Sequence, residues 1–224
     1  MKTEAIIAGS SGLVGSELLQ LLLNSNKYSK VYSLVRRSSD VKHQKLEEIV
    51  FDFTDKNAYK SLPRASELFC CLGTTLKTAG SQEAFRKVDY DYPLMLAKAG
   101  LNNGTKQFHV ITALGADANS SIFYNKVKGQ LQEAVKKLNF DQLYIYQPSL
   151  LVGDRKENRL GEKIAIKVMP LFEFLMIGPI KKYRSIQVED VAKSILFTAE
   201  NENKKLKIIL SDEIQTLADS HSNS

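Results

Sequence analysis

The chain is poor in cysteine, with only Cys70 and Cys71, side by side in Leu68-Phe69-Cys70-Cys71-Leu72. Adjacent cysteines have neither metal-ligand spacing nor the separation a disulfide framework needs. This excludes a cysteine-stapled secreted domain, leaves no metal site to expect, and makes a reducing cytoplasm the expected compartment. No apolar run reaches membrane-spanning length, so no membrane span is expected. The first residues lack a basic n-region and a cleavage site, so no signal peptide is expected either. Repeats, low-complexity tracts and linkers are also missing. The chain reads as one domain over residues 1–219, with a frayed tail over 220–224.

What is present suits a folded domain: 43% hydrophobic and 25% charged residues in a chain of 224, enough to build a sizeable core. The net charge is +6 and the pI near 9.1. The clustered lysines, Lys136-Lys137, Lys181-Lys182 and Lys204-Lys205-Leu206-Lys207, come with no helix-turn-helix, zinc pair or aromatic RNA-binding motif. The excess charge therefore reads as solvated surface and attraction for an anionic ligand, not as a nucleic-acid site.

The most informative stretch is Ala5-Ile6-Ile7-Ala8-Gly9-Ser10-Ser11-Gly12-Leu13-Val14-Gly15, which runs directly into the apolar Leu18–Leu23. It reads as a strand over Glu4–Ala8, a glycine turn, and a helix over Gly12–Asn24. Glycines 9, 12 and 15 permit a sharp turn, close approach of a pyrophosphate to the backbone, and tight helix–strand packing, while a helix N-terminus offers unpaired N–H groups to the anion.

Beyond it, strands are expected at Lys30–Arg36, Glu48–Phe53, Glu67–Leu72, Gln107–Thr112, Leu143–Gln147 and Lys207–Leu210. Helices fit Ser81–Arg86 continuing through Tyr92–Asn102, Phe123–Leu138 and Val188–Glu200. This alternation predicts an α/β doubly wound parallel sheet, a Rossmann fold, covered on both faces. Residues 148–187 read as a substrate-side insertion. Its apolar stretch, 164–177, is interrupted by Lys167, Pro170 and Glu173 and fits a core or lid element better than a membrane-surface helix.

In such a fold the end of the second strand faces the adenosine ribose, where an acid suits NAD and an arginine suits the 2′-phosphate of NADP. Here that strand ends in Arg36-Arg37-Ser38-Ser39. The two guanidiniums favour NADP(H), with NAD(H) as the alternative cofactor. Asp52 either accepts a hydrogen bond from the adenine amino group or caps the turn before Thr54.

The catalytic candidates are Thr112, Tyr124 and Lys128. Tyr124 and Lys128 form Tyr-x-x-x-Lys at the start of a predicted helix, twelve residues after Thr112. Spacing i to i+4 places both side chains on one helix face. An ammonium beside a phenol stabilises phenolate, so the phenol can exchange a proton as hydride moves. Thr112 would hold the substrate oxygen. His109 and His43 read as ordinary strand and surface histidines.

Several segments together carry a family resemblance: Gly9 to Gly15, Cys71-Leu72-Gly73-Thr74-Thr75, Val88-Asp89-Tyr90-Asp91-Tyr92, Gly115-Ala116-Asp117, Phe123-Tyr124 through Val127-Lys128-Gly129, and Gln147-Pro148-Ser149-Leu150-Leu151. With them the chain resembles an atypical short-chain dehydrogenase/reductase, epimerase-like, of the Tat-interacting oxidoreductase-like branch. The resemblance implies Tyr124 as acid/base and Lys128 on the nicotinamide ribose. It implies a cofactor lining of Leu72, Gly73, Thr74 and Thr75, with Pro148, Leu150 and Leu151 flanking the nicotinamide. It departs from the standard pattern at Ala113 and Leu114, and in having Cys-Leu-Gly-Thr-Thr in place of an Asn-Ala-Gly turn.

The expected function is an NADP(H)-dependent oxidoreductase acting on a small carbonyl or alcohol, as a monomer or homodimer. The alternative is an NADP(H)-binding redox sensor with little turnover. Epimerase or dehydratase chemistry is a less favoured third, the chain being short for a sugar-nucleotide domain.

Overall fold

A computed structural model describes residues 3–153 and 178–222. β1 (Thr3–Ala8) leads into α1 (Leu13–Asn24), followed by β2 (Tyr28–Val35), β3 (Leu46–Val50) and β4 (Glu67–Cys70). Two short helices, α2 (Leu76–Ala79) and α3 (Gln82–Arg86), continue through a π-helical turn at Lys87–Asp91 into α4 (Tyr92–Asn102). Then come β5 (Gln107–Ile111), α5 (Phe123–Lys136), β6 (Gln142–Gln147) and β7 (Leu151–Val152). After residue 177 the chain forms β8 (Ile186–Gln187), α6 (Val188–Asn201), β9 (Leu206–Leu210) and α7 (Ser211–Ser222). The apolar stretch 164–177 lies outside the described residues.

Seven strands form one sheet in the order β3-β2-β1-β4-β5-β6-β9, and every neighbouring pair is parallel. Consecutive residues of the strands face opposite layers, as a pleated strand requires. Ile7, Phe69, Tyr144 and Ile209 pack against α1, α6 and α7. Ile6, Leu68, Phe108 and Ile145 pack against α4 and α5. The central strands are therefore apolar on both faces, which is why their sequences read as near-continuous hydrophobic runs. Strand order reverses between β1 and β4, whose ends lie side by side with Ala8 opposite Cys70. A crevice outside the carboxyl ends at that switch point is where open α/β sheets bind ligands.

Several elements differ from the sequence expectation, with α2, β7, β8 and α7 having no expected counterpart. The third strand ends at Val50 rather than Phe53. Phe51 and Phe53 are buried, but as an aromatic plug at the sheet's corner, with Phe51 meeting the Tyr59 ring edge-on at 5.1 Å and Phe53 lying 5.7 Å from the Tyr92 ring. The alternation mimics a longer strand because both rings fill the core, although the last sheet bond there is from Phe51 N–H to Val35 O at 2.8 Å. The tail from Ser220 continues α7, which buries Ile214, Leu217 and Ala218 and carries Asp212 and Glu213 in its first turn. That acidic first turn favours a helix N-terminus.

His109 is a core residue. Its ring stacks on Phe69 at 4.6 Å and Tyr144 at 4.9 Å, Nδ1 bonds the Tyr146 hydroxyl at 2.9 Å, and Nε2 bonds Gln107 Oε1 at 2.9 Å. Burial, aided by the Lys27 charge, holds its pKa well below the ordinary histidine value. The unfolded chain therefore takes up a proton near pH 6.5 that the folded chain refuses, and stability present above that pH is lost below it, by up to about 1.4 kcal/mol per pH unit. His109→Gln should flatten this acid limb in denaturant melts between about pH 7 and 5. Identical acid limbs in both proteins would contradict the assignment.

Candidate functional site

The glycine turn closes on itself through backbone contacts. Gly9 has φ +88°, and a Cβ there would stand 2.6 Å from the Cys71 carbonyl at the end of β4. A Cβ on Gly15 would stand 2.1 Å from the Gly9 carbonyl oxygen. These two glycines let β1, β4 and the first turn of α1 touch. Gly12 differs: its N–H donates to Gly9 O at 2.9 Å, and an added Cβ would meet only that oxygen, at 3.2 Å. Gly12 is also the N-cap of α1 and gives it no side-chain cap, and the first turn holds no acidic residue. The N-terminal N–H groups and the positive end of the helix dipole thus lack a side-chain partner.

The other turn residues contribute backbone more than side chain. Ser10 is turned inward, its Oγ 2.7 Å from Ser33 Oγ on β2. Val14 is buried in the core, Leu13 packs against it, and Ser11 is exposed.

At the end of β2, Arg36 and Arg37 are exposed. Among the described residues, neither guanidinium makes a hydrogen bond or an ion pair. An acid nevertheless stands close by. Glu48, on β3, accepts from the Ser39 N–H at 2.8 Å and the Ser39 hydroxyl at 2.7 Å. Asp52 Oδ1 accepts from the Thr54 N–H at 2.8 Å and hydroxyl at 2.7 Å. Those bonds hold its carboxyl below the usual carboxylate range. Of the two roles expected for Asp52, the turn cap is the one its contacts display.

The loop after β4 meets α5 through a residue to which the sequence reading assigned no role. Asp89, in the middle of the π-helical turn, lies 2.7 Å from Lys128 Nζ through Oδ1 and accepts from the Thr74 N–H at 2.9 Å through Oδ2. Both side chains are buried, with 0% exposure for Asp89 and 5% for Lys128. Burial disfavours both charges. It holds the Asp89 carboxyl above the usual carboxylate range against the pull of Lys128 and the Thr74 N–H. At Lys128 it is outweighed by the Asp89 carboxylate, with Tyr124 and Cys70 adding, so the ammonium stays above the ordinary lysine range. The signal was present in Val88-Asp89-Tyr90, an acid within a stretch that packs inward. A π-helical turn is itself a feature that recurs at functional sites. Of the remaining loop residues, Gly73 is exposed, Leu72 packs on the core, and Thr75 caps α2 by accepting from the Thr78 N–H at 3.1 Å.

Tyr124, half-buried in the first turn of α5, packs on Phe85 with ring centroids 5.5 Å apart. It lies one helical turn before Lys128 and within electrostatic reach of the ammonium. Thr112 departs from expectation. It is 4% exposed, donates its hydroxyl to Tyr146 O at 3.1 Å and accepts from Gln132 Nε2 at 2.8 Å. Gln132 is held in turn by Gln147 at 3.1 Å. That hydroxyl has donated its one proton inward and has none left for a substrate oxygen. After β6, Pro148 O accepts from Leu114 N at 2.9 Å, Leu150 O from Ile186 N at 2.9 Å, and Leu151 begins β7. Among the described residues, no group of three His, Cys, Asp or Glu could hold a metal, and no helix is long and apolar enough to cross a membrane.

A parallel sheet with its switch point over an uncapped glycine turn, flanked by a Tyr-x-x-x-Lys helix, defines a Rossmann protein of the short-chain dehydrogenase/reductase class. Solved structures share the fold. MoeE5, in complex with UDP-glucose and NAD, superposes with a TM-score of 0.68 at 12% identity, over 98% of this chain and 82% of its own. The human epimerase family protein SDR39U1, with NADPH, gives 0.62 at 14% identity, over 98% and 80%. The HIM1 family model matches residues 20–176. Rat HTATIP2 is 37% identical over 165 residues, 72% of this chain and 68% of that protein. FMP52 of Candida albicans is 32% identical over 225 residues, 96% and 97% of the two chains. The chain belongs to the HIM1 family, the atypical short-chain dehydrogenase/reductase branch that includes HTATIP2 and FMP52. The expectation of a cytoplasmic protein is overturned by these relatives, because the fungal FMP52 proteins are named as mitochondrial. Two unpaired, adjacent cysteines do not choose a compartment.

The glycine contacts separate two roles by stability. Gly15→Ala should destabilise the fold by about 2–3 kcal/mol or more, because rigid backbone must move. Gly12→Ala should lose less than about 1 kcal/mol. Urea denaturation compares them, and equal losses would contradict the division.

Proposed function

We propose that this protein is an NADP(H)-dependent oxidoreductase acting on a small carbonyl or alcohol. The observation that carries the reading is the joint placement of Tyr124 and the buried Lys128 on α5 beside the β1/β4 switch point. The site fits a dinucleotide on its own features. The uncapped N-terminus of α1 suits a pyrophosphate, and the unpaired Arg36 and Arg37 suit a 2′-phosphate. Glu48 is committed to Ser39 rather than facing a ribose. The nicotinamide ring, when bound, supplies the hydride. Structural neighbours with NAD and with NADPH support the cofactor class, and the FMP52 names support a mitochondrial setting.

In this reading Leu13 and Val14 receive the pyrophosphate on backbone N–H groups of the first turn of α1, the Gly12 N–H being held by Gly9 O, and Lys128 donates to the nicotinamide ribose. Tyr124 gives its phenolic proton to the developing alkoxide in reduction and takes it back in oxidation, assisted by the ammonium one turn away. Leu72 to Thr75 line one wall, and Pro148, Leu150 and Leu151 the other. Thr112 acts from below, fixing the end of β5 through Gln132.

One observation favours a second reading, an NADP(H)-binding sensor with little turnover: the Thr112 hydroxyl is already donated to the Tyr146 carbonyl. The phenol separates the two. Tyr124→Phe should leave NADPH affinity near wild type and cut turnover of a carbonyl substrate by about 10²–10⁴-fold. Lys128→Met should weaken both. Steady-state kinetics with an independent binding measurement check this, and a fully active Tyr124→Phe would remove the proposed mechanism. NADPH should also bind about 10- to 100-fold more tightly than NADH, the worth of a charged hydrogen bond to phosphate. Calorimetric titration giving equal affinities would remove the role of Arg36 and Arg37.

A further inference from the structure

The ion pair reaches beyond the Tyr-x-x-x-Lys motif. We infer that Asp89 is a positioning residue for Lys128: its carboxylate fixes the ammonium against the loop after β4 and keeps it cationic where the nicotinamide ribose would lie. The inference rests on the cofactor reading above. It also assigns a chemical role to a residue outside the expected catalytic set, in a chain whose loop after β4 lacks the Asn-Ala-Gly turn.

Three observations support it. The Asp89 carboxylate is shared, one oxygen 2.7 Å from Lys128 Nζ and the other 2.9 Å from the Thr74 nitrogen, so a single side chain ties α5 to the cofactor-side loop. Both partners are buried, and a buried ammonium without a counter-charge tends to shed its proton. The third observation is Gly73, where even a Cβ would lie 3.6 Å from Asp89 Oδ1 and 3.8 Å from Lys128 Nζ. Lacking a side chain, this exposed residue adds no cover over the pair, whose Lys128 side chain keeps 5% exposure.

Among the described residues, the charged and titratable groups facing Lys128 are few. From the π-helical turn there is Asp89, from β4 the Cys70 thiol, and from its own helix the Tyr124 phenol. Burial pushes the Cys70 thiol up to about 12, so it carries no charge near neutral pH. Asp89 is thus the one anion at neutral pH among them. Replacing it with a neutral isostere should bring the lysine's loss of its proton into the working pH range. A purely structural role would instead weaken binding equally at every pH.

The experiment measures NADPH affinity of the full chain from about pH 7 to 9.5, above the titration of the cofactor's phosphate. It uses wild type, Asp89→Asn and the double variant Asp89→Asn/Lys128→Met, alongside melting temperatures without cofactor. Wild type should be flat. Asp89→Asn should lose affinity by about tenfold or more toward the alkaline end, and the double variant should be weak and flat. In the melts, Asp89→Asn should gain stability relative to wild type as pH rises, because a buried lysine is better tolerated neutral. A uniform loss across the range in Asp89→Asn overturns the inference. If that variant does not fold, a wild-type affinity that falls below about pH 9.5 overturns it, and a flat one supports it. Should wild type bind no NADPH at any pH, the cofactor reading fails; the melts then decide on Asp89 alone, and parallel curves overturn its role.

Discussion

A lysine ammonium is tolerated in the interior here because a carboxylate lies 2.7 Å from it. Removing charge from water is expensive, and a buried pair recovers that cost only with good geometry and further hydrogen bonds. Asp89 meets the condition only in part: Oδ2 takes the Thr74 N–H, whereas Oδ1 faces the ammonium without a well-directed hydrogen bond. The pair is better read as a device of position than of stability. It fixes α5, the π-helical turn and the loop after β4 in one arrangement, and Tyr124 inherits its place one helical turn from the ammonium.

The second constraint is steric. Gly9 and Gly15 let β1, β4 and α1 approach to backbone contact, which sets the helix N-terminus over the switch point of the sheet. Gly12 is left as the glycine with room above it. The proposed anion site and the proposed proton-transfer site therefore belong to different elements, and the β1–β4 pairing joins them. The mixed core beneath, with His109 neutral among aromatic rings and Thr112 tied to Gln132, holds the ends of β5 and β6 in register.

Much of this was legible in the residues. The glycine spacing after an apolar strand, the alternation of elements and the i to i+4 pair required no tertiary information, because each is a local consequence of backbone geometry. What escaped was decided at a distance. Asp89 lies 39 positions from Lys128, and no periodicity relates them. The Thr112 hydroxyl was assigned by its place at a strand end, but Gln132, a residue with no motif of its own, claims it from α5. Glu48 reaches Ser39 only because β3 pairs with β2, which puts an acid from another strand beside Arg36-Arg37-Ser38-Ser39, a stretch with none of its own. Phe51 and Phe53 kept the alternation of a strand while serving as a plug. Compartment was misread because two free cysteines carry no address.

The central claim is that the glycine turn, the arginine pair and the Asp89–Lys128 pair form one dinucleotide site. A crystal structure of the protein with NADPH tests it most directly. The account predicts pyrophosphate oxygens on the N–H groups of Leu13 and Val14, the 2′-phosphate between Arg36 and Arg37, and Lys128 bridging the nicotinamide ribose to an unmoved Asp89. A dinucleotide bound elsewhere, or one that leaves Lys128 turned away from the ribose, would contradict it.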